Sequence, residues 1–250
     1  MSSLETPDIN PFDQIQKFFK EFKGDINIID EKIDVLLQME YFELSKQFRD
    51  INELHNWEEA SKQLFNEAID LNTKKKLLSQ IAAINDVKAY RTIESYVKVA
   101  DPDLRHWSLL AMQESRMLLQ SKLLEQSQVL VSTGLGGKDG KLRYFFVLFN
   151  RNNEPYTETQ QKVVRNEFDY VFKKNTADIE EINFYENIAT ILGLVPLTIP
   201  IQDIFIKTIS EINQFGNFVR ENCIITNVRI MSVDEIRDFI ENNNNPIIKI

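Results

Sequence analysis

The stretch Gln128–Phe149, QVLVSTGLGGKDGKLRYFFVLF, divides the chain into two kinds of sequence. Of only seven glycines in 250 residues, four (Gly134, Gly136, Gly137 and Gly140) crowd into this segment, and none lies between Gly24 and Gly134. Pro102 is the one proline between Pro11 and Pro155. A span so poor in helix breakers predicts a run of helices before the glycines. After Gln126 the apolar pattern shifts to β-type runs, QVLVST and LRYFFVLF, so a hairpin across GLGGKDG is expected.

Upstream, apolar residues recur every three or four positions. Phe12, Ile15, Phe18, Phe19 and Phe22 form one face, and Ile33, Leu36, Leu37 and Met39 begin another. Trp57, Ala60, Leu64, Phe65 and Ala68 make a third, with Asn56 as its N-cap. Leu77, Leu78, Ile81 and Ile84 follow, then Tyr90, Ile93, Tyr96 and Val97. A long helix from about Leu104 to Glu125 carries Leu104, Trp107, Leu110, Ala111, Met117, Leu118 and Leu124. Such amphipathic helices are marginal alone and must stack to bury their stripes.

Downstream, Thr157 and Gln160 form a capping box before Val163, Val164, Phe168, Val171 and Phe172. Ile182 to Ile199 predicts one or two strands, Pro200 opens a helix ending near Gly216, and Ile224 to Met231 predicts a further strand. Ser232 and Glu235 cap a last helix, and Ile247–Ile250 is expected as an edge strand. The expected fold is α+β: an all-α helical region over residues 1–125, then a small ββαβαβα domain over 126–250 with a mainly antiparallel sheet.

Lys+Arg 29 against Asp+Glu 38 gives a net charge of −9. The excess of acid is spread over both halves, with 16 basic and 22 acidic residues up to residue 125 and 13 and 16 after it. On that ground no nucleic-acid partner is expected. A single cysteine, Cys223, excludes an intrachain disulfide and a cysteine-rich zinc site. Residues 1–12 carry no basic and apolar leader pattern. The longest apolar stretch, Ile188 to Ile201, is interrupted by Pro196 and Pro200 and falls short of the roughly 20 residues of a spanning helix. A soluble cytoplasmic protein, with no membrane partner, is expected.

The segment Arg91–Ser115, RTIESYVKVADPDLRHWSLLAMQES, resembles a HEAT-type repeat. Asp101, Pro102, Asp103 and Arg105 match that family's inter-helix turn and basic position, and Ser108 and Ala111 fall near its small sites; Trp107 is large for its place. The resemblance implies stacked helix pairs that present a groove to a protein or peptide. Separately, STGLGGKDGKLRYF behind the WSLLAMQESRMLL helix resembles uncharacterised proteins of Bacteroidetes-type bacteria, which implies no activity.

The glycine-rich loop is the sharpest chemical candidate. Thr133, Gly134, Gly136, Gly137, Lys138 and Lys141 offer backbone N–H groups and two ammonium charges to an anion, with Arg143 beside them in the strand. It is not a P-loop: the position five before Gly140 is Leu135, and Leu142 follows Lys141. A hairpin turn that needs positive φ explains the same glycines. Arg143 in an apolar strand needs either a partner or an open strand end. His55 and His106 lack metal-ligand spacing, Cys223 lacks a neighbouring His, and the acidic pairs Glu58–Glu59, Asp101–Asp103 and Glu180–Glu181 read as helix starts or turns. No catalytic constellation, cofactor or metal set is expected. The residues therefore point to a non-catalytic protein-interaction module or adaptor, with Asp101, Asp103 and Arg105 at its repeat turn. The alternative is a small-molecule, nucleotide or anion binder, an enzyme included, using residues 133–141.

Overall fold

The computed structural model describes residues 17–49 and 57–242. The chain is α+β, and its described residues divide into two compact units, one within 24–136 and one of 137–242 with 17–23. The division falls between Gly136 and Gly137. Among the described residues no helix is long and apolar enough to cross a membrane.

The first unit is helical and begins and ends on a strand. β1 (Asp25–Ile28) pairs in parallel with β2 (Gln128–Val131), Asp25 opposite Gln128 and Ile28 opposite Val131. Parallel partners require a crossover, and here the crossover runs through five helices among the described residues. These are α1 (Val35–Arg49), α2 (Trp57–Leu64), α3 (Leu71–Ala82), α4 (Val87–Val97) and α5 (Pro102–Leu124). Asp70, Asp86 and Asp101 cap α3, α4 and α5 by accepting from the backbone N–H of Thr73, Lys88 and Asp103. Pro102 occupies the start of α5, where its missing N–H costs nothing. Trp107 of α5 is fully buried, and α5 packs against α1, α3 and α4.

This pairing corrects the expected hairpin. QVLV does not turn back onto LRYFFVLF; β2 joins β1 instead. The hairpin forms further along, between β3 (Gly137–Lys138) and β4 (Lys141–Phe149). Its two-residue turn, Asp139–Gly140, has φ of 50° and 76°. Two positive φ values in succession are what a type I′ turn demands, and Asp-Gly supplies them.

In the second unit β4 is central. It pairs antiparallel with β6 (Ile188–Pro196) along its whole length, and β6 pairs with the edge strand β5 (Asp178–Tyr185). On the other side of β4 lie β3 and β7 (Ile224–Thr226). The expected strand to Met231 stops at Thr226, and the predicted strand or strands within 182–199 are the β5–β6 hairpin. α6 (Glu158–Lys174) opens on the Thr157–Gln160 capping box, α7 (Ile201–Asn213) follows Pro200, and α8 (Val233–Asn242) opens on reciprocal Ser232–Glu235 bonds. The expected edge strand at 247–250, the Asn56 cap and most of the Phe12–Phe22 face lie outside the described residues.

Alternation along β4 sends Tyr144, Phe146 and Leu148 to one face. There the Phe146 ring stacks on Phe205 of α7 at 5.7 Å and meets Phe168 and Phe172 of α6 edge-on. Gly193 of β6 lies under this cluster: a Cβ there would be 2.6 Å from Cε1 of Phe172. Gly193→Val should therefore destabilise the protein by about 1–3 kcal/mol through overpacking, read as a lowered urea midpoint at unchanged slope. An unchanged midpoint would mean that the ring does not rest on this strand.

Candidate functional site

The candidates from the glycine-rich loop separate between the two units. Thr133, Gly134 and Gly136 belong to the helical unit; Gly137, Lys138, Lys141 and Arg143 belong to the sheet unit. Gly136 has φ 64°, and a Cβ on it would lie 2.5 Å from the carbonyl oxygens of Asp30 and Glu31, so only glycine fits. Thr133 Oγ1 donates to the Gly136 carbonyl at 3.3 Å, and the Thr133 carbonyl accepts from Gln38 Nε2 at 3.2 Å. Lys138 is exposed on the hairpin. Lys141 pairs with Asp178, and Arg143 makes a two-point bond to Glu180 at 2.5 and 2.8 Å. The acidic pair Glu180–Glu181 is thus not at a turn. It sits in β5 at a bulge next to Ile179, and Glu180 answers the arginine that the apolar strand β4 carries.

Two of the other candidates have structural partners. Asp101 caps α5, and Arg105 Nη2 meets Glu31 Oε1 at 3.0 Å. Cys223 is buried, which pushes its thiol up to about 12 and away from the reactive thiolate. His106 is half-buried in α5, and His55 lies outside the described residues. Among the described residues no three His, Cys, Asp or Glu side chains converge as a metal-ligand set.

The most elaborate polar constellation in the helical unit is one that hydrophobic periodicity passes over. α1 buries Gln38, Tyr41 and Ser45, while Leu36 and Met39, expected on its apolar face, are 74% and 59% exposed. Residues 41, 45 and 49 fall on one helical stripe, and all three donate to Glu114 of α5. Tyr41 Oη reaches Oε2 at 2.6 Å, Ser45 Oγ lies 2.6 Å from both oxygens, and Arg49 Nε reaches Oε1 at 2.9 Å. Burial first, then the charge and hydrogen bond of Glu114, hold the Tyr41 phenol well above its ordinary value, so it stays a donor. Gln38 extends the stripe, accepting from Ser132 Oγ and donating to the Ile33 and Thr133 carbonyls. A polar 3–4–4 spacing at 38, 41, 45 and 49 is the signal that could have marked this face.

Glu114 also begins the wall of a cleft. Glu114, Met117, Leu118 and Ser121 stand at i, i+3, i+4 and i+7 on α5, facing Phe42 and Arg49 of α1, with Ala83, Gln128 and Leu130 completing the lining. Its volume, about 610 Å³, lies inside the range of roughly 300–1,000 Å³ typical of small-molecule sites. A second cleft in the sheet unit, between Glu181, Asn183, Tyr185 and Ser232, holds about 230 Å³ and falls below that range.

No family model and no curated protein matches the chain. Among solved structures, a "putative transposase" from Deinococcus radiodurans R1 is 12% identical, with 42% of this chain and 93% of that one covered at a TM-score of 0.35. A REP-associated tyrosine transposase bound to a REP hairpin is 14% identical, with 41% and 62% covered at a TM-score of 0.31. The expectations of a non-catalytic protein-binding adaptor, of a chain more a binding module than an enzyme and of no nucleic-acid partner find no counterpart in these matches and do not stand. Physically, a net charge summed over 250 residues does not set the potential of any one surface, and the lack of a local motif does not exclude an assembled active site. At these scores the likeness assigns neither activity nor partner to this chain.

The Glu114 network makes a stability prediction. Glu114→Ala leaves the buried Tyr41 and Ser45 hydroxyls without their acceptor and should cost about 2–4 kcal/mol in urea denaturation. Arg49→Gln should cost less than about 1 kcal/mol, because that side chain is 52% exposed. Equal costs would contradict the assignment of the buried hydroxyls as the expensive partners.

Proposed function

We propose that the helical unit binds a small, largely apolar molecule in the cleft between α1 and α5. The observation that carries this reading is the lining: Phe42, Ala83, Met117, Leu118 and Leu130 supply apolar walls around a few polar groups, in a volume of about 610 Å³. Apolar walls give affinity through the area they remove from water, and a small number of polar atoms fixes orientation. Glu114 contributes rigidity. With three donors on its carboxylate, the facing helices keep their spacing whether the cleft is filled or empty. A cytoplasmic location belongs to the same proposal, supported by a single cysteine that stays a buried thiol.

Neutral probes test the cleft directly. With 1-octanol or 2-naphthalenemethanol at 100 times Kd, the full chain should gain roughly 2.7 kcal/mol of stability, seen as a raised thermal midpoint. Ser121→Trp, which places an indole in the cleft without touching Glu114, should remove that gain while leaving the unliganded midpoint close to that of the parent. No gain in the parent protein, or an equal gain in Ser121→Trp, would overturn the proposal.

A further inference from the structure

The polar groups of the cleft have an uneven balance of donors and acceptors. Glu114 Oε1 and Oε2 already receive Tyr41, Ser45 and Arg49, and its side chain is only 11% exposed. Its capacity to accept a further donor from a ligand is nearly used. Gln128, on the same lining, is engaged with Asn27 and Asp25. Arg49 is in the opposite position. Its Nε is spent on Glu114, but among the described residues Nη1 and Nη2 have no hydrogen-bond partner, and the side chain is 52% exposed at the cleft. A guanidinium held by its Nε edge keeps a planar pair of Nη donors, which matches the two oxygens of a carboxylate.

We infer that the molecule bound in this cleft carries a carboxylate at the end of its apolar body, received by the Nη groups of Arg49. The inference rests on the cleft reading above and adds the head group to it. Glu114 then has a second effect: it aims the guanidinium by holding Nε, and it offers no free acceptor to an amine. The apolar lining takes the body of the ligand, from Phe42 to Leu130, while the carboxylate stays at the exposed end beside Arg49.

The test compares octanoate with 1-octanol by titration calorimetry on the full chain, in the parent protein and in Arg49→Gln. With the guanidinium 52% exposed, its bonds to the carboxylate should make octanoate bind up to about fivefold tighter than 1-octanol in the parent. Arg49→Gln should erase that advantage, so that octanoate binds no tighter than 1-octanol in the variant. Binding of 1-octanol with equal or weaker binding of octanoate overturns the head-group inference and leaves the cleft reading standing. So does an octanoate preference that survives Arg49→Gln, or octyl phosphate binding tighter than octanoate. Failure of both octanoate and 1-octanol to bind the parent protein overturns the two together.

Discussion

A carboxylate taken out of water and surrounded by donors from one facing helix organises the helical unit. Left alone at 11% exposure, the Glu114 side chain would be costly; with Tyr41, Ser45 and Arg49 around it, the cost is offset and the registry of α1 on α5 is set. A slide of α1 by one turn would leave a charge and two hydroxyls unpaired at once. The apolar packing then follows that registry. Tyr41 meets the Trp107 ring edge-on at 5.2 Å, Trp107 Nε1 donates to the Lys75 carbonyl at 3.0 Å, and Lys75 Nζ lies 4.5 Å over the indole while pairing with Glu40. The circuit runs from α5 through α3 and returns to α1. Trp107, too large for a generic helix-pair site, fits because it supplies both a ring and an N–H to that circuit.

The sheet unit solves a related problem by other means. Its central strand carries Arg143 among aromatic and aliphatic residues, and the answer comes from across β6, where a bulge in β5 lets Glu180 reach the guanidinium. Lys141 and Arg143, which suggest an anion site in the linear sequence, thus meet carboxylates of the same sheet. The glycines nearby have separate duties: Gly140 shares the type I′ turn with Asp139, and Gly136 lies against two carbonyls that no side chain could approach. A cluster of glycines and lysines in sequence is resolved into several local requirements of the backbone.

What could be read from the sequence follows from which interactions are local. Helix starts at Thr157 and Ser232 depend on residues within three positions, and they stand where the spacing places them; the long helix α5 instead opens at Pro102 on an Asp101 cap, two residues before the expected Leu104. The two-sided apolar pattern of β4 likewise identifies a strand covered on both faces. Pairing partners are another matter, because four residues at Asp25–Ile28 give no local sign that they will meet Gln128–Val131 a hundred positions later. The candidate cleft was missed for a more specific reason. Apolar periodicity assigns Leu36 and Met39 to the inner face of α1, yet the inner face is Gln38, Tyr41 and Ser45: Tyr41 and Ser45 share an acceptor on α5, and Gln38 bonds Ser132 and the Ile33 and Thr133 carbonyls. A stripe of polar residues looks like a solvated surface until its partner is known.

Tyr41 and Glu114 form one coupled unit instead of two independently placed side chains. A double-mutant cycle of Tyr41→Phe and Glu114→Ala in urea denaturation measures this directly. The interaction energy should exceed about 1 kcal/mol, since removing the hydroxyl should cost little once its acceptor is gone. Additivity within about 0.3–0.5 kcal/mol would contradict it.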